Sequence, residues 1–138
     1  MTETYTCSIE LPAPPETVFD YFTDAELLVT WIGDYAVLDA QPGGDFTLDI
    51  EGIPVRGQYL EVVAPKRVLL SWGHAGSETL PPNSTQVQFT LTPAADGGTL
   101  VEVEHRNLPA EHLPSHRIGW PMFMDRLRHA TRDEARRR

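Results

Sequence analysis

Cysteine is almost missing from this chain. Cys7 is the only one in 138 residues, so no disulfide can form within it, and its place in an early strand suits a small buried apolar side chain better than a nucleophile. Long hydrophobic runs are missing too. None approaches the roughly 20 apolar residues of a membrane-spanning helix, and no basic segment followed by an apolar stretch opens the sequence. A cytoplasmic protein is expected. Cations are scarce, with 11 lysines and arginines against 20 aspartates and glutamates and a formal charge of −9. That balance repels phosphate backbones and anionic headgroups, so neither nucleic acid nor a membrane surface is expected as a partner. The one basic cluster, Arg136-Arg137-Arg138, is terminal, where it suits the negative end of a helix dipole.

Common catalytic motifs are lacking as well. Gly43-Gly44 and Gly97-Gly98 read as turns, so there is no glycine-rich phosphate loop. Ser71 and Ser77 have no arranged base and acid and stand in no Gly-x-Ser-x-Gly context. His112 and His116 have the separation of two ligands on one helix face, but Pro114 lies between them and no third ligand is spaced to help, so no metal is expected. No other cofactor is implied.

What is present is an ordinary globular composition, 41% apolar and 22% charged, in a length that fits one domain over residues 1–138. The C-terminal stretch organises it. Trp120, Phe123, Met124, Leu127 and Ala130 or Thr131 recur at three- and four-residue steps, which predicts a long amphipathic helix with a bulky apolar face. Upstream, alternation predicts strands: Tyr5 to Leu11, Tyr35 to Asp39, Asp45 to Ile50, Val55 to Val63, Arg67 to His74, and a hairpin formed by Gln86 to Leu91 and Val101 to Arg106. Two short helices, Glu16 to Phe22 and Ala25 to Trp31, follow the first strand, the second capped by Asp24. Gly57 inside a strand marks a bulge or a close approach, and the parity of Tyr59 against Leu60 stays open. Successive hairpins imply an antiparallel sheet, and the long helix is its expected cover. Pro121 inside the helix pattern leaves two readings: the helix starts near Trp120, or it kinks there. The loop from Ala75 to Asn83 is a candidate rim or lid.

The order of these elements and several local motifs resemble a known family. The matching stretches are Pro12-Ala13-Pro14-Pro15-Glu16-Thr17-Val18-Phe19, Trp31, Pro42-Gly43-Gly44-Asp45-Phe46, Arg56-Gly57-Gln58-Tyr59-Leu60-Glu61-Val62 with Pro65, and Leu70-Ser71-Trp72. Val87-Gln88-Phe89-Thr90-Leu91 and His116-Arg117-Ile118-Gly119-Trp120 complete the set. Together they resemble the activator-of-heat-shock-protein-ATPase-like branch of the START-like superfamily, also called SRPBCC or polyketide-cyclase-like. The resemblance implies an α+β helix-grip fold, a curved antiparallel sheet around a long C-terminal helix, with an apolar cavity between them. It does not choose among functions, because the superfamily carries lipid binders, hormone receptors, aromatase/cyclases and co-chaperones on one scaffold. The eukaryotic activators that name the branch carry an additional N-terminal domain, so a chaperone partner ranks below a small ligand.

Within that frame, Trp31, Trp72 and Trp120 fall on inward faces and either fill the core or wall a pocket. His105 follows inward valines, His74 follows Trp72, and His116 opens the last helix. These imidazoles are a candidate polar end for the pocket, and His105 and His116 are candidate acid–base residues. His112 and His129 are read as exposed. Arg56 is either a carboxylate-binding residue or an exposed strand arginine. The expected ligand site is Trp31, Phe46, Trp72, His74, His105, Trp120 and Met124, taking a small apolar or aromatic molecule. The alternatives are an aromatase/cyclase-like enzyme without metal or nucleotide, and a protein-binding module using Leu60 and Leu69 on the outer sheet face.

Overall fold

A computed structural model of the chain describes the backbone of residues 2–136 and the side chains of 2–133. Arg137 and Arg138 of the basic cluster, and the side chain of Arg136, lie outside the described residues. Seven antiparallel strands form one curved sheet: β1 (Thr2–Leu11), β2 (Tyr35–Leu38), β3 (Asp45–Ile50), β4 (Ile53–Val63), β5 (Arg67–Trp72), β6 (Thr85–Pro93) and β7 (Thr99–Pro109). Their spatial order is β1-β7-β6-β5-β4-β3-β2. Strands β2 to β7 therefore form an unbroken meander, and β1 closes beside the last of them. The helices α1 (Pro15–Thr23) and α2 (Ala25–Leu28) carry the chain from one edge strand to the other, and α3 (Leu113–Arg136) packs beside β1. This is the helix-grip arrangement.

The alternation read from the sequence is what the sheet uses. In β6, Val87, Phe89 and Leu91 are buried, and in β7 so are Val101, Val103 and His105. Pro15 opens α1, where a missing N–H costs nothing, and Asp24 caps α2 by accepting from the Glu26 N–H at 2.9 Å. That helix is shorter than predicted. It ends at Leu28 and hands Trp31 to the core through a turn whose geometry is fixed by the indole N–H, which donates to the Tyr21 carbonyl at 3.0 Å.

The two questions about β4 have separate answers. Gly57 is a close approach: a Cβ there would stand 1.8 Å from the Ser71 carbonyl oxygen of β5. The bulge lies beyond it, where the register with β5 shifts between Tyr59 and Glu61. Leu60 is the extra residue, so Tyr59 points inward at 0% exposure and Leu60 outward at 36%. Leu69, on the outer face, is half-buried.

The long helix starts seven residues earlier than the Trp120 reading allowed and runs through Pro121 without interruption. Pro114 sits in its first turn, where no intrahelical N–H is needed. Pro121 strands the carbonyl of Arg117, and both residues are exposed, which keeps the cost of the lost bond low. The loop from Ala75 to Asn83 is also anchored. Leu80 is fully buried, the His74 N–H donates to the Leu80 carbonyl at 2.7 Å, and the Leu80 N–H donates to Ser77 Oγ at 2.9 Å. It is not built as a swinging lid.

Candidate functional site

Where the tip of the β3–β4 hairpin, the end of β5 and the first half of α3 meet, the packing leaves a cleft of about 280 Å³. Its floor holds Ile32, Trp72 and Trp120, which are buried. Ile50 and Ile53 come from the hairpin, and His74 from just beyond β5. Ser115, His116, Ile118, Gly119, Met122 and Phe123 come from α3. Among the described residues, no Asp, Glu, Lys or Arg lines it. Three of the chain's exposed large apolar residues, Ile53 at 45%, Ile118 at 73% and Met122 at 44%, stand around this one opening. Scattered exposed apolar residues need no explanation, but a cluster at the mouth of an apolar cleft marks a surface made to be covered. The volume lies just below the range of about 300–1,000 Å³ for small-molecule pockets.

Gly119 contributes space. A glycine inside a helix costs about 0.5–1 kcal/mol relative to alanine. No backbone contact requires it here, since the nearest atom to a Cβ would be a Phe123 ring carbon at 3.7 Å. Its bare backbone leaves room in the cleft wall.

Behind the cleft, His105 is locked from both sides. The Thr85 hydroxyl donates to the Trp72 carbonyl at 2.8 Å, and its one proton is spent there. The 2.8 Å contact between Thr85 Oγ1 and His105 Nε2 must then be donated by the imidazole. On the other side the Trp120 indole N–H donates to His105 Nδ1 at 3.1 Å. The ring is thus the neutral Nε2–H tautomer. Protonation would set an Nδ1–H against the indole N–H. Burial holds its pKa well below the ordinary histidine value, and the neighbouring His116 and His74 push the same way. His105 ties β5, β6, β7 and α3 together and has no lone pair to offer a substrate.

His116 is arranged differently. Its Nδ1 lies 2.7 Å from the His112 carbonyl, which can only accept, so Nδ1 carries the proton. Nε2 therefore bears the lone pair, and it has no hydrogen-bond partner among the described residues. Burial lowers the His116 pKa, the bond to the His112 carbonyl opposes that, and the His112 ring lowers it further. His74, with no side-chain hydrogen bond among the described residues, is lowered by burial and then by His116 and His112. The Trp72 indole N–H is buried without a partner among the described residues.

Of the residues expected to form the site, Trp72, His74, His116 and Trp120 meet at the cleft. Trp31, Phe46, His105 and Met124 do not line it. Trp31 packs edge-on against Phe22 and Phe89, at centroid separations of 5.6 and 6.1 Å. Phe46 is sealed between Tyr59 and Trp72, each 5.8 Å away, and Met124 is buried in the core. Trp72, Trp120 and Phe89 pack against one another at centroid separations of 5.6 and 5.8 Å and form a continuous aromatic layer in the core behind the cleft. His112, set aside as exposed, is half-buried and bonded to Thr79 Oγ1 at 2.7 Å. Arg56 is engaged by Asp49 at 2.9 Å and by the Val55 carbonyl at 2.8 Å, away from the cleft. The residues missed were Ile32, Ile50, Ile53, Ser115, Ile118, Gly119, Met122 and Phe123. Neither the tip of the β3–β4 hairpin nor Gly119 carries a pattern that marks a site in the sequence.

Comparison with known proteins places this geometry. The family model described as Activator of Hsp90 ATPase homolog 1-like protein matches residues 12–132. Among solved structures, the chain is similar to MLL2253 from Mesorhizobium loti, with a TM-score of 0.83 and 22% identity over 93% of this chain and 96% of that one. It is also similar to CalU16 from Micromonospora echinospora, with a TM-score of 0.77 and 25% identity over 99% of this chain and 80% of that one. PFC0360w, an HSP90 activator from Plasmodium falciparum, superposes with a TM-score of 0.73 and 24% identity over 88% of this chain and 91% of that one. No curated protein matches. Among the described residues, no helix is long and apolar enough to cross a membrane.

Proposed function

The chain belongs to the Activator of Hsp90 ATPase homolog 1-like family, and from that premise we propose that it binds a small, largely apolar or aromatic molecule in the cleft between the hairpin tip and α3. The observation that carries this reading is the uncharged cleft of about 280 Å³ with Ile53, Ile118 and Met122 exposed around its mouth. Burying that rim on a ligand removes apolar surface from water at roughly 25 cal/mol per Å². The acid–base alternative is weaker because the His105 lone pair is taken by Trp120; it rests on His116 alone. A chaperone partner, which the HSP90 activator from Plasmodium falciparum brings to mind, would have to use apolar residues exposed outside the cleft, such as Tyr35, Val37 and Leu60, and these stand at no comparable pocket among the described residues.

The test is a thermal-shift screen of small aromatic and lipid-like compounds on the wild-type chain and on Gly119→Leu. A ligand at a hundred times its Kd stabilises the native state by about 2.7 kcal/mol. Leucine at 119 grows into the cleft from a good helix position, so Gly119→Leu should keep or raise the unliganded Tm and lose the shift. If no compound stabilises the wild type, or if Gly119→Leu responds as the wild type does, the cleft is not the binding site.

A further inference from the structure

Resting on that reading of the cleft, the geometry points to a narrower ligand class: we propose that the site selects an uncharged molecule bearing a hydroxyl group, which donates its proton to Nε2 of His116. The first support is what the wall lacks. With no Lys, Arg, Asp or Glu among the lining residues, a carboxylate or an amine would leave water for an apolar wall with no opposite charge to meet it. Arg117, the nearest cation in sequence, is exposed and does not line the cleft. Fatty acids and other ionised amphiphiles are therefore disfavoured.

The second support is the bonding of the imidazole. The His112 carbonyl holds the proton on Nδ1 of His116, which orients the ring and leaves Nε2 as an acceptor in the wall of the cleft. This is a positioned lone pair, and what it lacks is a donor. Among the described residues the Trp72 indole N–H is also without a partner, buried in a residue that lines the same cleft. Buried polar atoms are left unpaired only at a cost, and such exceptions call for an explanation. A hydroxyl is a small neutral group that brings the proton Nε2 of His116 lacks. An ether or a ketone has no proton to give that nitrogen. Ser115 does not compete for the imidazole lone pair, since its hydroxyl donates to the His112 carbonyl at 2.9 Å.

The experiment is equilibrium dialysis of the full chain at pH 7.5 against four matched probes: naphthalene, 2-naphthol, 2-methoxynaphthalene and 2-naphthoate. One net hydrogen bond corresponds to a preference of about 3- to 10-fold. The expected order has 2-naphthol tighter than naphthalene and the methyl ether by that factor, with 2-naphthoate weakest. In His116→Phe, 2-naphthol and naphthalene should bind equally. If naphthalene binds but 2-naphthol gains nothing over the methyl ether, or if 2-naphthoate binds tightest, the hydroxyl inference is overturned and the cleft reading stands. If none of the four binds, the cleft reading falls and the inference with it. The wild-type series decides the matter even should the variant fail to fold.

Discussion

Replacing Thr85 by valine changes almost no volume and removes one oxygen from the centre of the hydrogen-bond chain that joins the sheet to α3. Thr85 is 1% exposed. Its hydroxyl donates to the Trp72 carbonyl and accepts from His105 Nε2–H, both at 2.8 Å. Valine abolishes both. The imidazole cannot escape by changing tautomer, because Nδ1 faces the Trp120 N–H at 3.1 Å. A buried N–H is thus left unsatisfied, at about 1–3 kcal/mol, and the bond to Trp72 is lost at about 0.5–1.5 kcal/mol. The sum is roughly 2–4 kcal/mol. For a domain of this size about 3–4 °C of Tm accompanies each kcal/mol, so Thr85→Val should melt about 7–14 °C below the wild type. Thr85→Ser keeps the hydroxyl and should lose only the packing of a methyl group, about 1 kcal/mol. Urea melts of the three chains at pH 7.5, followed by tryptophan fluorescence, measure the differences directly. If Thr85→Val lies within about 0.5 kcal/mol of the wild type, the assigned tautomer and the lock built on it are wrong.

Acidification should destabilise the fold. His105, His116 and His74 all have pKa values lowered in the native state, so below pH 6.5 the unfolded chain takes up protons that the native chain refuses, and stability falls with pH. A histidine that stays neutral throughout accounts for about 2 kcal/mol between pH 7 and pH 5; chemical denaturation across that window should show the decline, and a flat or rising profile would contradict it, since relief of the −9 net charge acts in the opposite direction. Gly57→Ala puts a Cβ 1.8 Å from the Ser71 carbonyl oxygen and should cost about 3 kcal/mol or more, the top of the range for overpacking; a melt near wild type would refute that contact. Gly119→Ala, which meets only a Phe123 ring carbon at 3.7 Å, should instead gain about 0.5–1 kcal/mol, and a loss on denaturation would mean that the helix needs its glycine for more than space.

The strand alternation and the long apolar helix face were legible because each is a period in the sequence, and both survive in the fold. What a period cannot carry is adjacency. It placed Trp31, Phe46 and Met124 inward correctly, but not that Phe22, Phe89, Tyr59 and Trp72 would pack them closed. The bulge at Leu60 was unreadable because one extra residue flips parity without altering composition. The early start of α3 was only partly legible: His116 was read as opening the helix, while Pro121 argued for a start near Trp120; Pro114 is tolerated in the first turn and Pro121 on an exposed face. His112 escaped notice because its partner, Thr79, belongs to a loop 33 residues away in sequence. The two halves of the cleft, a hairpin tip and the first turns of a helix, are likewise joined only by the fold.

The most direct test of the cleft as a ligand site is an NMR titration of the three indole N–H signals with 2-naphthol. Trp31 donates to the Tyr21 carbonyl in the closed core, Trp120 donates to His105 at the cleft floor, and the Trp72 N–H has no partner among the described residues. The Trp72 signal should move most, saturably, while that of Trp31 stays fixed. If all three remain still at millimolar ligand, or if Trp31 moves as far as Trp72, small molecules do not bind where the structure leaves room for them.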